Sequence, residues 1–205
     1  CDLPEVENAV RIDLNNALVR LEDTQFLESN ILAVDPSFFK VFDFKLIKGN
    51  PATALNDPYS LVVSESIARK YFGDVDPMNQ TLRIFQYDLT RTGADYKITG
   101  VIEDCPLNSH FQYTMLFSFS TIAVYDPDSF TSDGWFNNGY YTYVLMRPDT
   151  KPELLESKFT GFLDKYMGKE MREYKIRYEY FLTPLTDIHL KSNLRYEIMA
   201  TSSMS

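Results

Sequence analysis

The stretch ALVRLEDTQFLESNILAV, Ala17 to Val34, alternates apolar and polar residues on both sides of Glu22-Asp23-Thr24. A period of two fits a strand and not a helix, so the stretch predicts a β-hairpin that bends at those three residues. Shorter runs of the same kind recur. They are LVV (Leu61 to Val63), TLRIFQYDL (Thr81 to Leu89) and DYKITGVIED (Asp95 to Asp104), the last two flanking a turn at Gly93. Further runs are FQYTMLFSFS (Phe111 to Ser120), YYTYVLM (Tyr140 to Met146) and EYKIRYEYFL (Glu173 to Leu182). In the last of these Tyr174, Ile176, Tyr178, Tyr180 and Leu182 share one face, with Lys175, Arg177 and Glu179 on the other. The opening stretch Leu3 to Ile12 reads as a short helix or turn entering a strand, with Pro4 at a first helical position.

Three segments carry helical signals. In VDPSFFKVFDFKLIKG, Val34 to Gly49, Asp35 is placed as an N-cap with Pro36 behind it. Val34 and Phe39 then have hydrophobic-staple spacing, and Phe38 and Phe42 share a face, so these aromatics have local structural duties. Phe44 and Leu46 alternate with Lys45 into a strand closed by Gly49. Ser64 caps a second helix that carries Ile67, Ala68, Tyr71 and Phe72 on its apolar face and ends at Gly73. The third runs from a Thr150/Glu153 capping box through Leu155, Phe159, Phe162, Leu163 and Tyr166 to Gly168. Thr121 to Asn138 and Thr183 to Glu197 read as irregular. The whole predicts an α+β protein, with room in 205 residues for one large or two small units.

Composition narrows the function. Twenty-nine acidic against 20 basic residues give a net charge of −9 without a Lys/Arg cluster, which argues against a nucleic-acid partner. Fourteen Tyr and 15 Phe suit half-exposed sheet, and only eight Gly disfavours a phosphate-cradling loop. No P-loop, dinucleotide fingerprint or nucleophile elbow occurs, and Ser64 and Ser66 sit where helix capping explains them. Cys105, His110, Asp187 and His189 are the only set from which to build a transition-metal site, and their spacing matches no usual zinc pattern. Asp126, Asp128 and Asp133 lack the Gly and Glu of a calcium loop and read as a solvated turn. Paired glycosidase-type carboxylates cannot be picked out by spacing. No run of apolar residues is long enough to span a bilayer. The first residue is not Met, which suggests a mature form or an excised piece. Cys1 is then either the start of a fragment or the lipid-bearing residue of a surface-anchored module that binds glycan or peptide. Sequence does not decide whether Cys1 and Cys105 pair.

Five segments in order resemble one family: VDPSFFKVFDFKLIKG, SLVVSESIARKYFGDVDPMNQTL, YKITGVIEDCPLNSHF, YYTYVLM and LTPLTDIHLKS. They are similar to the MacB-like periplasmic core domain of FtsX-like ABC transporter permeases, from about Pro4 to Ser192. One departure falls in DPMNQTL, where the family has Gly-Lys and this chain has Asn79-Gln80. Asn tolerates the left-handed backbone, so the turn is expected to survive. The resemblance implies a porter-like strand–helix–strand subdomain built from both chain ends, residues 1–13 and 112–205. A mostly-β, sabre-like subdomain, residues 14–111, would be inserted in it. It implies a non-catalytic domain on the periplasmic side of the bacterial cytoplasmic membrane, without cofactor, metal or catalytic residues, that transmits ATP-driven change for export or extraction of a substrate. Its implied partners are a cytoplasmic ABC ATPase subunit and a second permease copy, and it admits a periplasmic adaptor protein. The alternative is the lipid-anchored binding module attached through Cys1.

Overall fold

The computed structural model describes residues 2–85, 92–130, 135–136, 138–191 and 198. The predicted hairpin forms from β1 (Val6–Leu21) and β2 (Thr24–Val34), with Leu21 opposite Thr24. β1 begins at Val6, so Leu3 to Ile12 enters directly as strand after a turn at Pro4-Glu5 and carries no helix. Alternation of Val6, Asn8, Val10 and Ile12 is a strand pattern that outweighs Pro4. The remaining strands are β3 (Leu46–Gly49), β4 (Ser60–Ser64), β5 (Thr81–Phe85), β6 (Ala94–Ile102), β7 (Met115–Ser118) and β8 (Tyr141–Met146). The predicted strand Thr81 to Leu89 is described only to Phe85; residues 86–91 lie outside the described part.

Six of these strands close on themselves. The pairing runs β1–β2–β7–β4–β6–β5 and returns to β1, with β2∥β7 and β4∥β6 and every other step antiparallel. A closed ring leaves no edge within the barrel. One set of alternating side chains points inward: Ala17, Val19, Ile31, Ala33, Leu61, Val63, Leu82, Ile84, Tyr96, Ile98, Met115 and Phe117, all essentially buried. Each fully buried aliphatic among them contributes roughly 1.5–3 kcal/mol. β3 hangs on β6, and β8 on the first half of β1.

The two barrel mouths are plugged. Helix α2 (Glu65–Phe72) follows β4 and lays Ile67, Ala68, Tyr71 and Phe72 onto one end. The Ile67 N–H donates to Ser64 Oγ at 3.4 Å, and Gly73 ends the helix with φ +59°, as the sequence predicts. Helix α3 (Ser120–Tyr125) follows β7 and sets Phe119 and Ile122 into the other end. That helix and a 3-10 turn at Pro127–Phe130 replace part of the loop expected at Thr121 to Asn138. Ile122 and Tyr125 pack on the barrel core, a tertiary reward that local turn composition does not reveal. The strand expected over Phe111 to Ser120 shortens to β7 for the same reason, since Phe111 and Tyr113 instead turn into a second core.

That second core lies on the outer face of the barrel. Helix α1 (Phe38–Val41) is pressed onto Val10, Ile12, Leu32, Val34, Val62 and Leu116. It starts later than the sequence suggests, because Asp35 is drawn away from a capping role by Arg11, and no side chain caps it. A single turn of helix is then held by packing alone. Phe38 is fully buried, with the rings of Phe42, Phe44 and Phe111 at 5.3, 5.7 and 6.3 Å. The aromatic density of Val34 to Gly49 is therefore a core.

The last two described elements are helices. α4 (Pro152–Tyr174) runs past the stop expected at Gly168 and breaks at Lys175, φ +55°. Thr150 lies outside it, and Lys151 occupies the cap position without a side-chain cap. Gly168 fits inside because Asp164 and Arg172 fold over the space its side chain lacks. Consequently the strand expected over Glu173 to Leu182 begins as helix, and residues 176–182 carry no regular secondary structure and join no sheet. α5 (Leu185–Lys191) falls within the stretch Thr183 to Glu197 that reads as irregular; residues 192–197 lie outside the described part.

Candidate functional site

β1 joins two parts of the sheet. Its residues Val6 to Ile12 pair with β8, whereas Ile12 to Leu21 pair with β2 and Leu18 to Arg20 also with β5. The same strand thus belongs first to the β8–α4 side and then to the barrel. Where it passes from one to the other, Arg11 is locked to Asp35. The Arg11 N–H donates to Asp35 Oδ2 at 2.8 Å, Nε to Oδ2 at 2.9 Å and Nη2 to Oδ1 at 2.8 Å. A two-pronged guanidinium–carboxylate contact fixes orientation as well as distance. The Arg11 guanidinium also lies 4.0 Å above the Phe119 ring, which orders the barrel plug against the same junction. Ser37 Oγ adds a bond to the Ala9 carbonyl at 2.5 Å.

Asp13, two residues on, is pushed above the ordinary carboxylate range by burial, against a partly offsetting bond from Asn15. At the opposite mouth Glu28 is buried and accepts from Lys70 Nζ at 2.6 Å and from Tyr71 Oη at 2.8 Å. Burial and the Glu28 carboxylate both hold the Tyr71 phenol far above its usual value, so it stays a donor. Lys70 also sits 4.2 Å over Phe26. The helical side is tied to the start of the chain by Lys158 on Glu5, by Lys165 and Tyr166 on Asp2, and by Arg147 Nε on the Pro4 carbonyl at 2.8 Å. Lys158 holds the Glu5 carboxyl below the usual range. The sequence reading missed all of these. One signal existed: Glu28 is a charged residue at an inward strand position, where only a partnered carboxylate can stay.

The residues weighed for chemistry do not form one site. Ser64 caps α2, and Ser66 gives its N–H and hydroxyl to Asp104 at 3.0 and 2.5 Å. Burial works against the Asp104 charge, but those bonds, another from Ser64 and the nearby Arg69 hold its carboxyl below normal. Cys105 donates to the Phe111 carbonyl at 3.3 Å and burial raises its thiol, the opposite of an activated nucleophile. His110 stands edge-on to Phe111 and Tyr143, within the aromatic core. Asp187 is on α5, and the His189 side chain lies outside the described part, as do Cys1 and Asp133. Asp126 and Asp128 border the 3-10 turn. Among the described residues no cluster of three or more His, Cys, Asp or Glu could hold a metal, and no helix is long and apolar enough to cross a membrane.

What the geometry offers instead is a buried barrel core and a strand shared between two parts of the sheet. A solved domain of a putative permease protein from Porphyromonas gingivalis superposes with a TM-score of 0.72 at 29% identity, over 89% of this chain and 74% of that one. The periplasmic region of MacB from Actinobacillus actinomycetemcomitans gives 0.56 at 15%, over 80% and 69%. The extracellular domain of the noncanonic ABC-type transporter YknZ from Gram-positive bacteria gives 0.54 at 11%, over 89% and 83%; these two likenesses are of fold. No curated protein matches the chain. The family model of the MacB-like periplasmic core domain matches residues 2–162, and the chain belongs to that family. Within it Asn79 keeps the turn as expected, with φ +65° and its N–H on the Ile98 carbonyl at 2.9 Å.

Proposed function

We propose that this is a non-catalytic periplasmic domain of an ABC transporter permease, which passes ATP-driven conformational change outward for export or extraction of a substrate. The observation that carries the reading is the single strand β1, shared between the β8–α4 side and a barrel plugged at both ends. Displacement applied at one end of such a strand arrives at the other, because the packed core between them is not continuously deformable. In this reading a porter-like part holds the start of β1, β8 and α4. A sabre-like β part, residues 14–111, is inserted in it, and β7 from the returning chain completes its ring. The partners are a cytoplasmic ATPase subunit, a second permease copy and, in some assemblies, a periplasmic adaptor. An antibody to the chain, used on washed membranes of the host, tests the placement. The expected band is much larger than the chain, resists alkaline wash and co-purifies with an ATPase. A band of the chain's own size that takes up lipid label would make Cys1 an anchor and end the permease reading.

A further inference from the structure

Glu28 and Asp13 both occupy inward positions of the β1–β2 hairpin, but they are not served alike. Glu28 lies opposite Ala17 and is paired with Lys70. Asp13 lies opposite Ala33, which is fully buried in the barrel core, so its half-buried carboxyl points the same way. Among the described residues Asp13 makes no ion pair; Asn15 Nδ2 donates to its Oδ2 at 3.2 Å. Arg11, the cation on the same face of β1, is committed to both oxygens of Asp35 and to the Phe119 ring. On the facing elements the titratable groups are phenols and acids. Tyr125 of α3 interacts with Asp13, and Tyr59 before β4, Tyr96 of β6 and Tyr140 before β8 gather on Tyr125. Burial holds the phenols of Tyr125 and Tyr96 above their usual value. Asp126 ends α3 and Asp128 stands in the 3-10 turn. A carboxylate facing a core without a cation is costly while ionised, and protonation removes the cost.

The element packed against it is weakly anchored. α3 has six residues and no side-chain cap, and only Thr121 and Ile122 of it are buried. It also holds a strained residue. Tyr59 has φ +60°, a left-handed backbone that is uncommon for a bulky side chain, and its N–H donates to Thr121 Oγ1 at 2.9 Å. Departure of α3 would free that backbone. We propose that α3 is a proton-sensitive plug, seated in the barrel mouth while Asp13 is neutral and more readily opened, locally and reversibly, once Asp13 is ionised. The sign follows from burial. With α3 seated, the carboxyl is held above the ordinary 3.8, and with α3 open it returns to that value. The cost of the charge is absent below 3.8 and fully present above the seated value, so opening becomes easier as pH rises through that window. Phe119 leads into α3 and carries Arg11 over its ring, so opening also loosens the junction where β1 passes from β8 to the barrel. The device stands without the permease reading.

Amide hydrogen exchange of the 205-residue chain, read as protection factors from about pH 4 to about pH 8, tests it. Peptides covering Tyr59 and α3 are expected to exchange before those covering β4 and β7, and to lose protection severalfold as pH rises. Asp13→Asn keeps an acceptor for Asn15 without the charge. It should hold α3 at its acid level of protection at every pH. The unaltered chain alone can overturn the proposal, if α3 exchanges only together with the barrel strands or if its protection does not change with pH. A dependence that survives Asp13→Asn belongs to another carboxylate and overturns it equally.

Discussion

Phe38 shows how much one side chain holds. It is buried among four other aromatic rings and fixes a helix of four residues that has no cap. Phe38→Ala should therefore cost roughly 3–5 kcal/mol in denaturant unfolding, and a cost under 1 kcal/mol would mean the cluster is not a core. Asp35→Asn removes the charge from the Arg11 contact. With Arg11 38% exposed on its side chain, a loss of about 1–2 kcal/mol is expected, less than for a sealed pair. Asp13 has the opposite sign. Its raised carboxyl means that the folded state prefers the protonated form. The penalty is fully present above the folded value and absent below the ordinary 3.8. Asp13→Asn should raise the melting temperature at neutral pH, and the gain should fade as pH drops through that window. A gain that persists unchanged at low pH would contradict the assignment of cause.

At the scale of elements, the sequence is most readable where a single periodicity meets a matching environment. β1, β2 and α2 can be read because alternation and capping agree with burial on one face. Asp35 misleads because its local pattern, a carboxylate before Pro and a helix, is satisfied equally by a cap; Arg11 lies 24 residues away and claims it. The stretch Glu173 to Leu182 alternates as a strand should, yet α4 propagates into its start and, among the described residues, no strand pairs with the rest. Pattern states what a segment can become, while partners decide what it is. The partners of Arg11, Glu28 and Glu5 are invisible for the same reason, since each contact joins residues far apart in sequence, even where the charge of Glu28 signals that some partner is needed. Two glycines test the element account. A side chain on Gly161 meets nothing within 4 Å, so Gly161→Ala in the middle of α4 should stabilise by about 0.5–1 kcal/mol. At Gly49, φ +98°, an added Cβ would lie 2.5 Å from the Thr99 carbonyl oxygen, a backbone atom that cannot turn aside. Gly49→Ala should destabilise, and thermal unfolding of the two variants in parallel distinguishes strand closure from general tolerance.

For the whole molecule, a closed barrel, two plugs and an aromatic outer core form a densely packed body joined by the shared strand β1 to the β8–α4 side, and the proposed function has that body move as a unit. Transmission by such a body requires that distances between copies change while distances within each copy do not. The most direct measurement places spin labels at Glu7, at the start of β1, and at Glu65, at the barrel mouth, in the parent permease with its ATPase. Cys1 and Cys105 are replaced by serine. Distances are then read with and without ATP. The account predicts a constant separation from Glu7 to Glu65 within one copy and a nucleotide-dependent separation from Glu65 to Glu65 between copies. A change within the copy, or none between copies, would contradict it.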